Sequence, residues 1–232
     1  MVWFGEPARF RAERLAGLVT SLTGGELHAV LAPQAVWLDD AERAAARREV
    51  AGLVRQHGGK PFEGDEPELA EVATLLSRPP EARFGWLGDT VTGARLGVLV
   101  AASRWFRLIA VRDGDDVFVR TFRATRLSWT LADVLPGGTR KPVGEPVTVL
   151  RTEPADDPRV RRFATLPPSI VAELYVEARP PGGQHRLGEP LRVYDTADGR
   201  WLVTTTADEL TLAPADKHDV ARALETARHA LG

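Results

Sequence analysis

The sequence predicts an α+β fold built on one plan used twice, with mainly antiparallel strands and helices packed on the sheet. Three observations predict it. Short apolar runs follow one another with only tight turns between them, which favours hairpins over crossover units. Stretches with helical spacing flank those runs. Two parts of the chain also repeat one order of elements. Each has a helix ending in Arg-Pro-Pro (Arg78-Pro79-Pro80 and Arg179-Pro180-Pro181), then hairpin strands with an Asp/Gly turn, then a closing helix. Sheets from two such copies would lie side by side or join, with helices over one face.

The elements follow in order. Phe10 to Val19 has helical spacing through Leu15, Leu18 and Val19, and Gly24-Gly25 breaks it. Glu26 to Leu31 reads as a short strand. Asp39-Asp40 can cap a helix running to about His57, with Ala46, Val50, Leu53 and Val54 inward. Asp65 caps a second, from about Glu66 to Ser77, whose apolar face is Leu69, Val72, Ala73 and Leu76. Arg78-Pro79-Pro80 stops it, because proline removes a donor and restricts the residue before it.

Strands are expected at Phe84 to Leu87, Arg95 to Ala102, Leu108 to Arg112 and Val117 to Phe122, the last two joined by the turn Asp113-Gly114-Asp115-Asp116. A helix from about Thr125 to Leu135 ends at Pro136-Gly137-Gly138. Residues 137–144 form the best linker. They divide the chain into an N-terminal half, 1–136, and a C-terminal half, 137–232, within one compact domain made by duplication. Pro146 to Leu150 is a strand and 151–165 a charged loop. Pro167 to Glu177 reads as a helix with Ile170, Val171, Leu174 and Tyr175 as its stripe. Leu191 to Tyr194 and Arg200 to Thr205 pair through a turn ending at Gly199, and Leu210 to Ala213 can add a third strand. Pro214 opens a last helix with Val220, Leu224, Ala227 and Leu231 inward.

Composition narrows the function. The chain has 232 residues, 44% of them hydrophobic and 27% charged, enough for a core of useful size. There is no cysteine, so disulfides, thiolate metal sites and cysteine nucleophiles are excluded. A net charge of −2 makes no case for nucleic acid, which leaves a basic stripe. The bases are almost all arginine, which with abundant Ala, Gly, Val and Pro suggests a GC-rich genome. The N-terminus lacks the pattern of a signal peptide, and no stretch of about 18 apolar residues could span a membrane. Cytoplasm is the expected compartment.

No catalytic constellation emerges. The histidines His28, His57, His185, His218 and His229 make no metal-ligand spacing. No serine sits in a Gly-x-Ser-x-Gly elbow, and the glycine pairs lack phosphate-loop spacing. Asp113 to Asp116 is too short for an EF-hand loop, so it reads as a hairpin turn. Asp195, Asp198 and Asp208 can be imagined as an acid/base set, but Asp195 and Asp198 near Gly199 also fit turn chemistry. Catalytic, metal and cofactor residues are therefore expected to be none.

Two long stretches do carry a likeness. Phe84-Gly-Trp-Leu-Gly-Asp89, Gly97-Val-Leu-Val-Ala-Ala102 and Ile109-Ala-Val-Arg-Asp-Gly114 form the first. Tyr194-Asp-Thr-Ala-Asp-Gly-Arg-Trp-Leu202 and Leu212-Ala-Pro-Ala-Asp216 form the second. In order and spacing the chain resembles the EspG family from about residue 40 onward. That resemblance implies a mixed α/β fold with two pseudo-twofold related halves around a central sheet. It implies an actinobacterial, cytosolic chaperone without cofactor or reaction. Such a chaperone binds the helical tip of a secreted PE/PPE-type pair and delivers it to the ESX type VII secretion machinery. The loop Gly88 to Gly93 is short against the family pattern, and the turn Ser103-Arg-Trp-Phe106 carries two aromatics.

A chaperone for an apolar helical tip needs apolar surface left open. Trp105 and Phe106, at a hairpin tip, are the first candidates. The resemblance adds the central sheet and C-terminal helices, which point to Trp86, Leu87, Val91, Leu96, Ile170, Leu174 and Tyr175. Two other readings stay open: a non-catalytic scaffold that homodimerises through a sheet edge, and an enzyme with an unrecognised site.

Overall fold

Hairpins dominate the chain. A computed structural model describes residues 7–33, 48, 69–122, 126–154, 157–180, 183, 185–186 and 188–231. The helix expected over 39–57, and the Asp65 cap, lie outside these residues. Two compact units form: Met1–Ala82 with Gly97–Thr125, and Arg83–Leu96 with Arg126–Gly232.

The first unit opens with a strand absent from the sequence reading, β1 (Ala8–Arg11), followed by α1 (Ala12–Thr23). Gly24 ends α1 in the left-handed conformation, φ 67°, with its N–H donating to Thr20 O, the conformation that favours glycine. Glu26 to Leu31 is not a strand. Its chain turns, with His28 N–H donating to Leu76 O and Leu31 N–H to His28 O. The turn is held against β3 (Arg95–Ala102), where Gly97 approaches so closely that a Cβ would lie 2.1 Å from Val30 O. The helix α2 (Leu69–Ser77), β4 (Arg107–Asp113) and β5 (Asp116–Phe122) fall as expected. Here the strand order is β1-β5-β4-β3. Gly114, φ 56°, makes the β4–β5 turn. Val117, Val119 and Thr121 are buried by strand alternation, while Phe118 and Phe122 share the other face. Leu15, Leu18 and Val19 of α1 meet Val72, Ala73 and Leu76 of α2 over Phe10 and Val119.

The second unit is the larger sheet, in the order β2 (Glu81–Asp89), β7 (Ile170–Ala178), β9 (Leu191–Thr196), β10 (Gly199–Thr205), β11 (Glu209–Pro214), β6 (Val147–Leu150). The two-residue β8 (His185–Arg186) pairs with β7. The pairs β7–β9, β9–β10, β10–β11 and β11–β6 are antiparallel. Its helices are α3 (Leu127–Ala132), α4 (Pro158–Ala164) and α5 (Lys217–Ala230).

Two expectations are corrected here. The segment 167–177 is not a helix but most of the strand β7, so the second Arg-Pro-Pro follows a strand. Ala172, Leu174 and Val176 are buried at period two, as a half-covered strand requires, and the β-branched and aromatic residues Ile170, Val171, Tyr175 and Val176 favour that state. Nor is 151–165 all loop. Asp157 caps α4, its Oδ1 accepting from Arg159 N at 2.7 Å, and Pro158 occupies the first turn. The order of elements still repeats: α2-β2-β3-β4-β5-α3 against α4-β7-β9-β10-β11-α5, with β8 added.

Neighbouring residues on a strand point to opposite faces. Arg83 Nε donates to Ser128 Oγ of α3 at 2.9 Å, and its Nη2 lies 3.9 Å from Glu225 of α5. The face carrying Arg83, Gly85 and Leu87 is therefore the face of α3 and α5. Val220, Leu224 and Ala227 of α5 are buried. Phe84 and Trp86 point the other way. At the far end of that other face, α4 places Val160 and Phe163 on Val203, Leu212, Val147, Tyr194 and Trp201.

Candidate partner-binding surface

Three aromatic side chains cluster on the β2 and β7 end of that face. Phe84 stacks on Tyr175, with centroids 5.2 Å apart and planes at 11°. Trp86 meets both edge-on, at 6.3 Å from Phe84 and 5.9 Å from Tyr175. Such pairs add about 0.5–1.5 kcal/mol each beyond the area they bury. Strand geometry produces the cluster: Phe84 and Trp86 are two apart on β2, and β7 brings Tyr175 beside them.

Arginines cap the cluster. The Arg186 guanidinium sits 4.5 Å from the Tyr175 centroid and 5.0 Å from Phe84, and Arg95 lies 5.7 Å from Trp86. A guanidinium over a ring face is attracted by the ring quadrupole, and Arg is weakly hydrated enough to be covered by a partner. On the same face Arg192 pairs with Glu173 at 3.2 Å. Phe84 is buried, while Trp86 and Tyr175 are half-buried. The cluster is thus an apolar floor with arginine side chains over its rings.

Two hairpin tips add open apolar side chains. After β2, Asp89 Oδ1 accepts from Val91 N at 2.8 Å and Thr92 N at 3.1 Å. These backbone hydrogen bonds, that from Thr92 foremost, hold the Asp89 carboxyl below its ordinary range. Thr90 N–H donates to Ser169 O, so the tip is braced and Val91 stands 81% exposed. In the first unit, Ser103 Oγ accepts from Trp105 N at 3.1 Å and Phe106 N at 3.2 Å, closing the β3–β4 turn. Trp105 is 71% exposed and lies under Arg104, 4.6 Å from its centroid.

The remaining predicted residues divide by burial. Phe106, Leu96 and Ile170 are half-buried. Leu87 and Leu174 are buried on the helix-covered face, where they are core side chains and offer no surface in this conformation. Reading 167–177 as a helix placed Leu174 and Tyr175 together; as a strand, the two point apart. Phe84, Arg95 and Arg186 were missed. The period-two pair Phe84-x-Trp86 was a readable signal for one of them, whereas nothing in the sequence joins Arg186 to β2.

The carboxylates imagined as an acid/base set are apart in role. Asp195 is buried and held bidentately by Arg200, Asp198 pairs with Arg162 at 2.9 Å, and Asp208 is exposed in a turn. Turn chemistry does not explain Asp195, whose side chain neutralises a buried arginine. Among the described residues no group of three His, Asp or Glu side chains could hold a metal, and no helix is long and apolar enough to cross a membrane.

Comparison with known proteins agrees with this architecture. No curated protein matches the chain significantly. A solved structure, the type VII secretion system chaperone EspG5 of Mycobacterium tuberculosis in complex with a PE25–PPE41 dimer, matches with a TM-score of 0.67. It is 12% identical, and 97% of each chain is covered, a likeness of fold. The family model for EspG matches residues 12–226. The match spans nearly the whole sequence, and the chain belongs to the EspG family.

Proposed function

We propose that this protein is a cytoplasmic chaperone that binds a helical PE/PPE-type pair and delivers it to an ESX type VII secretion system, acting by binding and not by reaction. The observation that carries the reading is the arginine-capped cluster of Phe84, Trp86 and Tyr175 on the sheet face opposite α3 and α5. Membership of the EspG family supports it, as does a fold shared with a chaperone solved on a PE–PPE dimer. The exposed side chains of Val91 and Trp105 are further contacts for the partner, each at its own hairpin tip. The halves 1–136 and 137–232 are two copies of one ancestral plan.

The test is co-expression with helical PE/PPE-type proteins encoded near it, followed by pull-down. The reading expects a partner that is insoluble alone to co-purify. Trp86→Ala and Trp105→Ala should each weaken the complex by roughly thirty-fold, the scale of an aromatic anchor worth about 2 kcal/mol. Trp105→Ala should leave the melting temperature nearly unchanged. A chain that elutes as a homodimer and retains no such partner would favour the scaffold reading instead.

A further inference from the structure

A groove of about 510 Å³ opens in the second unit between α4, the loop 140–145 and the β9–β10 turn. Its volume is in the range that takes a small ligand or a few side chains. Trp201, Phe163, Leu166 and Val147 supply apolar walls. Val143, on its rim, is fully exposed at 102%. Apolar surface thus continues past the cavity mouth, which suits a chain longer than the cavity more than a compact metabolite.

Two polar groups there lack the partner their chemistry asks for. Trp201 Nε1 is buried and has no acceptor among the described residues. Among the described residues Arg140 donates only to main-chain carbonyls, to Asp198 O at 3.2 Å and Ala197 O at 3.5 Å. The other lining cations are neutralised, Lys141 by Asp219, Arg159 by Asp157 and Arg162 by Asp198. The Arg140 guanidinium, which has no carboxylate partner among the described residues, calls for an anion. Glu145, also on the rim, has no cation partner among the described residues and would repel an acid, so the acidic residue belongs at Arg140.

We propose that this groove docks an extended acidic segment of a partner protein, an apolar side chain entering against Trp201 and Phe163 while a neighbouring Asp or Glu pairs with Arg140. The site is separate from the aromatic cluster on β2 and β7 and does not depend on the chaperone reading.

The experiment is NMR titration of the full chain with two blocked peptides, GLDFELG and its charge-reversed form GLKFKLG. The indole N–H resonance of Trp201 is identified by its loss in Trp201→Phe. The expected result is a saturable shift of that resonance with GLDFELG and none with GLKFKLG. Arg140 is exposed, so Arg140→Glu should fold normally and weaken the acidic peptide at least ten-fold. No shift at Trp201, equal binding of both peptides, or unchanged affinity in Arg140→Glu overturns the proposal.

Discussion

Removing Asp195 should cost this protein more stability than its place beside a turn suggests. Arg200 lies in the strand β10 with its side chain 1% exposed, and the Asp195 side chain is 4% exposed. Two bonds of 2.7 Å join them, Nε to Oδ1 and Nη2 to Oδ2. Arg200 Nη2 also donates to Pro136 O at 2.9 Å, and Thr139 Oγ1 donates to Asp195 Oδ2 at 3.0 Å. In Asp195→Ala the guanidinium keeps one carbonyl and loses its only carboxylate. A buried charge left in that state costs about 3–5 kcal/mol. At about 2–4 °C per kcal/mol for a chain of this size, the melting temperature should fall by roughly 6–20 °C. Thermal and urea unfolding followed by circular dichroism would measure it. The double variant Asp195→Leu/Arg200→Met should recover most of the loss, because a buried pair is often replaceable by apolar residues of similar volume. A fall of less than about 2 °C in Asp195→Ala would refute the account, since surface substitutions alone reach that size. So would a double variant no better than the single one.

The other predictions are simpler. Gly85→Ala would place a Cβ 2.2 Å from Glu173 O and 2.8 Å from Leu174 Cδ2, so it should destabilise by about 2 kcal/mol or more in urea unfolding. Gly88→Ala, whose Cβ would meet nothing nearer than Val171 O at 3.8 Å, should be tolerated by the same measurement. Acid should weaken the fold through Asp219: burial raises its pKa, but hydrogen bonds from Lys141, the Asp216 N–H and Arg222 outweigh this and bring it to about 2. Its contribution is whole above the unfolded value of about 3.9 and is lost as pH falls through about 2. A denaturation series over that window should show a shallower acid loss in Asp219→Asn than in the parent.

Local chemistry alone decided much of this chain. The Asp113–Asp116 hairpin needs Gly114 at positive φ, and Gly199 serves the turn after Asp195 at φ 124°, both readable from residue type. The last helix starts where Asp216 can cap it, its side chain accepting from Asp219 N while Asp219 Oδ2 accepts from Asp216 N. A simpler N-cap, Asp157 followed by Pro158, marks α4 inside a segment whose charges alone suggest loop. The apolar runs of β3, β4 and β5 were recognisable locally, because they are short, bounded by turn residues and rich in β-branched and aromatic side chains.

Tertiary structure decided β7, and with it the candidate surface. Ile170 and Leu174 are four residues apart, a spacing that shares one face in a helix of period 3.6 and equally in a strand of period 2. Apolar spacing cannot separate the two states there, and the β-branched residues only lean toward a strand; hydrogen bonds to β9 decide, pairing Ile170 with Asp195 and Leu174 with Leu191. Once the segment is a strand, Leu174 turns into the core and Tyr175 turns out to meet Phe84, Trp86 and Arg186. Those residues come from three strands separated by up to about a hundred positions, so only the pairing of strands distant in sequence could assemble them.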